Sequence, residues 1–169
     1  MKKAIIASAI AVASLGMMNT ASAANGEVQF VGAVTSVTCD LQPEVGGSVS
    51  NVVQLGTAKP NNPVATPVSF TLAPEAGNTA CTNLTNAADI TWAGDFGANG
   101  LENQNGTATG AYVKLTAKGT SDVEMKGTTL TAEFSADQIK AGAVFDAELN
   151  GGTTPGDFKS AAAFVVAYK

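Results

Sequence analysis

The sequence predicts an all-β fold, a sandwich of short strands, on three observations. Apolar residues recur at period two in one short segment after another, and no stretch holds a helical period for long. Glycines (18) and prolines (6) punctuate the chain at short intervals, as tight turns between strands require. Cys39 and Cys81 are the only cysteines, enough for one covalent staple.

Residues 1–23 stand apart from the fold. Met1, Lys2 and Lys3 make a basic opening, an apolar run follows over residues 4–18, and Ala21-Ser22-Ala23 is a small-residue cleavage sequence. The pattern predicts a bacterial secretory signal removed after Ala23, shorter than a membrane span. The mature chain expected from Ala24 is long enough for one domain with its own core. Loss of Lys2 and Lys3 takes the formal net charge from −5 to −7, which disfavours nucleic acid and anionic membranes as partners.

Residues 27–37 alternate, with Val28, Phe30, Gly32 and Val34 on one face. A glycine inside a strand often marks close approach of another backbone. Beyond Cys39 a turn is expected around Pro43-Glu44-Val45-Gly46-Gly47, and residues 49–55 alternate loosely up to Gly56. Lys59-Pro60-Asn61-Asn62-Pro63 is a loop, because proline cannot donate to a ladder. Residues 64–72 read as a strand in which Pro67 marks an edge or a bulge. Residues 74–78 turn the chain toward Cys81.

A short strand over residues 88–92 carries Trp92, read as core. Residues 94–110, rich in Gly and Asn, read as a surface loop. Residues 111–117 alternate, with Tyr112 opposite Val113 and Leu115. Lys126-Gly127 suits a hairpin turn into a strand over residues 128–134. Ser135 can cap a single helical turn that ends near Gly142. A strand over residues 143–149 then leads through Asn150-Gly151-Gly152 to Pro155-Gly156. In residues 161–169 Phe164, Val166 and Tyr168 share one face, and Val165 and Ala167 the other. So apolar a run reads as a strand covered on both faces, with one edge open.

About eight short strands at fairly regular spacing, without a long helix, predict an Ig-like sandwich. In an exported chain Cys39 and Cys81 are expected to form a disulfide, which stabilises by about 4 kcal/mol in the chain-entropy model. No metal site is expected, since a zinc pair would need His or further Cys.

Enzyme activity and cofactors are not expected. The chain has no His to serve a Ser or Cys nucleophile as base. Asp122 and Glu124, like Asp146 and Glu148, alternate along strands and read as solvated faces, not as a glycosidase pair. No Gly-rich loop carries the lysine of a phosphate site.

Three features together resemble a chaperone–usher pilin. They are the opening Gly26-x-Val28-x-Phe30-x-Gly32-x-Val34 before Cys39, the Leu55-Gly56 pair between the cysteines, and an ending with Gly156 and the penultimate Tyr168. Thr35-Ser36-x-Thr38-Cys39, Pro43-Glu44-Val45, Thr85-Asn86-Ala87, Ile90-x-Trp92-x-Gly94 and Gly100-Leu101 are similar to FanC-type major fimbrial subunits. The resemblance implies an incomplete Ig-like sandwich that lacks its final strand and is completed by donor-strand exchange. It implies a donor arm over residues 24–35, with Val28, Phe30, Gly32 and Val34 as the inserted residues, and a pilin domain over residues 36–169. Gly156, Phe164, Val166, Tyr168 and Lys169 would belong to the accepting groove and to the strand that the chaperone binds.

Other pilin subunits, a periplasmic chaperone, an outer-membrane usher and a fimbrium on the bacterial surface are the implied partners and destination. The resemblance also implies attachment to host cells, and FanC-type subunits that recognise sialylated glycolipids raise a lectin alternative. The absence of arginine weighs against it, because a guanidinium is the favoured partner of a carboxylate. Lys114, Lys118 and Lys126 could act only as point charges. A small outer-membrane barrel is the remaining alternative, but Trp92, Tyr112 and Tyr168 cannot furnish two aromatic girdles.

Overall fold

The computed structural model describes residues 39–64 and 66–169. The expected signal, residues 1–23, and the arm residues Val28, Phe30, Gly32 and Val34 lie outside the described residues. What is described is a β-sandwich of two antiparallel sheets.

The chain opens with β1 (Leu41–Val45), which turns through Gly46 and Gly47 into β2 (Ser48–Val49). Both glycines have positive φ, 60° and 79°, the left-handed backbone that a tight hairpin demands. Next come β3 (Val68–Pro74), α1 (Thr79–Thr82), β4 (Ala88–Gly94), β5 (Leu101–Glu102) and β6 (Tyr112–Lys118). The chain continues through β7 (Asp122–Met125), β8 (Thr131–Phe134), α2 (Ala136–Ala141), β9 (Ala143–Asn150) and β10 (Ala162–Tyr168). One sheet runs β2-β1-β3-β9-β6-β5, with β7 also on β6; the other runs β10-β4-β8. Among the described residues neither sheet closes on itself, and the two-sheet arrangement replaces the barrel alternative.

Alternation decides which face each strand buries. In β6, Val113, Leu115 and Ala117 point inward and Tyr112, Lys114 and Thr116 outward; in β9, Ala143, Phe145, Ala147 and Leu149 are the inward set. Phe134, Phe145, Leu72, Ile90, Met125 and Ile139 are fully buried between the sheets. Trp92 of β4 meets Phe145 of β9 edge-on across the sandwich, ring centroids 5.3 Å apart, and Phe70 stacks on Phe145 at 5.5 Å. The cystine Cys39–Cys81, both residues buried, joins the start of β1 to α1. The predicted helical turn is α2: Ser135 and Gln138 form a reciprocal capping box, and Gly142 ends it at φ 97°.

Several expectations need correction. Pro43 lies within β1, opposite Leu72, and the turn falls on Gly46-Gly47, where positive φ is available without strain. Of residues 49–55 only Val49 is in a described strand; Ser50 N–H still donates to Pro43 O at 2.9 Å, and residues 51–58 lie in no described strand. The strand expected over residues 64–72 begins at Val68, immediately after Pro67, which cannot donate. Lys126-Gly127 does turn the chain, with Lys126 and Thr129 bridged, but it links strands of different sheets. The last strand is not covered on both faces: Ala163 and Ala167 are exposed while Phe164, Val166 and Tyr168 pack on the core. One face of an apolar strand suffices here because the residues on the other are mainly small alanines.

Candidate functional site at the edge of the last strand

β10 is an edge strand. It pairs with β4 from Ala162↔Gly94 to Tyr168↔Ala88, and no other described strand lies along it. The direction of its main-chain groups follows from one bond past the end of that ladder. Lys169 N–H donates to the Ala87 carbonyl at 3.0 Å. Hydrogen-bonded and non-hydrogen-bonded pairs alternate in an antiparallel ladder. Ala167, Val165 and Ala163 therefore turn their polar backbone toward β4, whereas Tyr168, Val166, Phe164 and Ala162 turn theirs to the open edge. The register agrees on the β4 side: Trp92, opposite Phe164, donates its N–H away from β10, to Leu130 at 2.8 Å.

The same alternation continues upstream of β10, with a loop in place of β4. Lys159 O accepts from the N–H groups of Gln104 and Asn105, both at 3.0 Å, and Ala108 N–H donates to Asp157 O at 3.0 Å. Asn103 organises this contact. Its amide nitrogen donates to Ala108 O (2.7 Å) and Asp157 O (3.2 Å), and its amide oxygen accepts from Gly106 N–H (3.0 Å) and Lys159 N–H (2.9 Å). Residues 157, 159 and 161 thus face the loop, and Phe158 and Ser160 face the other way. Among the described residues, the edge without a strand partner runs continuously from Phe158 to Tyr168.

A cleft of about 760 Å³ is lined by residues 52–58 together with residues 154–160, Val53, Leu55, Gly156 and Phe158 among them. Val53, Leu55 and Phe158 also rest on the core, while Val52 is 62% exposed. At the other end the gap is closed. The Tyr168 hydroxyl donates to the Cys39 carbonyl, and burial, with Asp40 nearby, pushes the phenol up to about 12. Beside it, Lys169 pairs with Asp89 at 3.1 Å and with Glu133, and its carbonyl accepts from Asn86 at 2.6 Å.

Phe164, Val166 and Tyr168 therefore lie along one edge, with Gly156 in the cleft upstream of it and Lys169 just past its end, bonded to Ala87. Gly156 fits because a Cβ there would stand 2.5 Å from Ala108 N and 2.6 Å from Thr107 C, inside backbone that cannot yield. Sequence reasoning missed the wall made by residues 52–58, whose signal was the alternation of Val53 and Leu55. It also missed Asn103 and Ser160, which no local pattern marks.

The lysines weighed for a sialylated glycan are occupied. Lys114 and Lys126 each meet Glu124 at 2.8 Å, and Lys118 meets Asp122 at 2.5 Å and Asp146 at 3.7 Å. Glu124, hydrogen-bonded by Lys114 and then Lys126, is held at about 2. These cations are already neutralised on the outer face of β6, β7 and β9, so the expectation of glycan binding through them finds no support.

No protein-family model matches the chain. It is similar over its whole length to the F107 fimbrial protein of Escherichia coli, at 38% identity across 173 residues and 100% of each chain. It is likewise similar to the K99 fimbrial protein of Escherichia coli, at 31% identity across 183 residues and 99% of each chain. With an open-edged sandwich, one cystine and two full-length relatives of this kind, the chain belongs to the chaperone–usher fimbrial subunits of the FanC type.

Proposed function

We propose that this fimbrial subunit is a structural unit of the shaft and polymerises by strand donation. Residues 24–35 of one copy insert along the open edge of β10 in the next. Periplasmic chaperone and outer-membrane usher act before that exchange, the chaperone lending a strand to the same edge. Strand addition to an exposed edge is the established mode of chaperone–pilin complexes.

The observation that carries this reading is the edge itself. From Phe158 to Tyr168 no other described strand pairs with it, and a cleft to which Val53, Leu55 and Phe158 contribute lies at its upstream end. Such an edge is an aggregation hazard unless something covers it. Lengths agree: the edge extends for about 35 Å and the arm, when extended, for about 40 Å at roughly 3.3 Å per residue. Burying Val28, Phe30 and Val34 at about 1.5–3 kcal/mol each supplies roughly 5–9 kcal/mol before ordering costs. Gly32 suits a shallow stretch of the groove. On this reading the signal over residues 1–23 is removed on export, and the mature subunit ends in a surface fimbrium that contributes to attachment to host cells.

Deletion of residues 26–34 tests the proposal. The shortened subunit is expected to remain chaperone-bound and to cap fibres without extending them. Fibres of normal length from the shortened subunit alone would overturn it.

A further inference from the structure

Two buried side-chain polar atoms lack a hydrogen-bond partner among the described residues: Trp92 Nε1 and Ser160 Oγ. Folded proteins nearly always pair such atoms, because an unpaired one has lost its water for no return. Both exceptions lie against the same strand. Trp92 stands opposite Phe164 of β10, with ring centroids 5.6 Å apart. Ser160 lies just before β10 and lines the cleft.

The neighbours of Ser160 are satisfied. Lys159 bonds Asn103, Gln104 and Asn105 through its main chain, and Ala161 O accepts from the Gln104 side chain at 3.5 Å. Those bonds turn the main chain of Ser160 away from the loop and toward the open edge. Its hydroxyl can both donate and accept, and rotation about one bond carries it between staggered positions.

We infer that Ser160 is a polar anchor of the cleft, its hydroxyl hydrogen-bonding a main-chain group of residues 24–35 from a second copy. The inference rests on the strand-donation reading above and adds a residue that fixes affinity. It has an unusual thermodynamic signature. Removing the hydroxyl takes away an unpaired buried group from the free subunit but a formed bond from the occupied one, so the two states should respond with opposite sign.

The test titrates a synthetic peptide of residues 24–35 into the purified mature chain from which those residues are deleted, so that no copy's own arm competes, read through the emission of Trp92, the only tryptophan. Ser160→Ala is expected to weaken binding about fivefold, the worth of one net hydrogen bond. Ser160→Thr, which keeps the hydroxyl, should stay within about twofold of the unaltered chain. The peptide-free Ser160→Ala chain should melt at the same temperature or higher, and its peptide-loaded form lower than the loaded unaltered chain. Equal peptide affinity for Ser160→Ala and the unaltered chain overturns the role of Ser160 alone. So does a lower melting temperature of the peptide-free variant, which marks a structural role. Absence of binding to the unaltered chain overturns the strand-donation reading, and this inference with it.

Discussion

The Tyr168 hydroxyl donates to the carbonyl oxygen of Cys39, tying the end of the last strand to the cystine that anchors the first. This single bond seals one end of the gap between β10 and the opening segment, and leaves the other end open as the cleft. Removing it with Tyr168→Phe keeps the ring packing, and should cost about 1 kcal/mol in urea unfolding. Burial raises the phenol in the folded state from its ordinary 10 to about 12. A raised value means the native state holds the proton more tightly. The contribution is therefore complete below pH 10 and disappears as pH climbs through 12. The stability gap between the unaltered chain and Tyr168→Phe should shrink across that window, and a gap independent of pH would contradict the assignment.

Asn103 uses both amide protons and its oxygen twice to hold the segment before β10. Truncation to Ala leaves two carbonyls and two N–H groups to find new partners, so Asn103→Ala should lower stability by about 2–4 kcal/mol. Hydrogen exchange should locate the damage: the amides of Gly106 and Lys159 lose protection first, while the β6–β9 ladder stays protected. Uniform loss across the sandwich would show that Asn103 has no special hold on this wall.

These two residues mark the boundary of what the sequence disclosed. Period-two patterning in residues 111–117 and 143–149 settled which side chains are buried in β6 and β9, because a strand with one face on a core has no other way to alternate. Ser135 with Gln138 and Gly142 announced α2 by capping chemistry that acts within one turn. Tyr168 was legible as the end of an apolar strand whose alternate residues pack on the core. Asn103 was not, since its partners lie as far away as Lys159 and nothing in a Gly- and Asn-rich loop distinguishes one amide from the next. Pro43 misled for a related reason: proline suits turns, but it is tolerated in β1, where the ladder position spares its missing donor.

Glu124 is hydrogen-bonded by two lysines and held at about 2 instead of 4.5. A depressed carboxyl stabilises the folded state above pH 4.5, and that contribution is lost as pH falls toward 2. The side chains of Glu124 and Lys114 are each 40% exposed, so solvent screening keeps the effect on stability small. The titration itself is the better readout. In Lys114→Gln the Glu124 carboxyl should titrate measurably closer to 4.5 by NMR, and an unchanged midpoint would remove Lys114 as the leading cause.

The cystine should matter more than any surface pair. Cys39 and Cys81 are 42 positions apart, and closing such a loop contributes about 4 kcal/mol in the chain-entropy model. The double variant Cys39→Ala and Cys81→Ala should lose about that much in urea unfolding, at an unchanged slope if the native sandwich is retained. Because Tyr168 bonds the Cys39 carbonyl and not its sulfur, the hydroxyl contact should persist. Tyr168→Phe is then expected to cost about 1 kcal/mol in this background too.

Gly156 and Gly46 separate two reasons for keeping glycine. Gly46 has φ 60° with nothing within 4 Å of an added Cβ, so Gly46→Ala should cost only the left-handed penalty of about 1 kcal/mol. Gly156 does not have a positive φ, but its added Cβ would meet Ala108 N at 2.5 Å and the Thr107 carbonyl carbon at 2.6 Å. Those atoms belong to the loop that Asn103 holds against the strand, so relief requires the wall of the cleft to move. Gly156→Ala should therefore cost about 1–3 kcal/mol, and should weaken binding of a peptide of residues 24–35 as well. Gly46→Ala should leave that affinity unchanged. Equal effects of the two substitutions on peptide binding would mean that the packing of residues 154–160 on residues 107–108 does not shape the cleft.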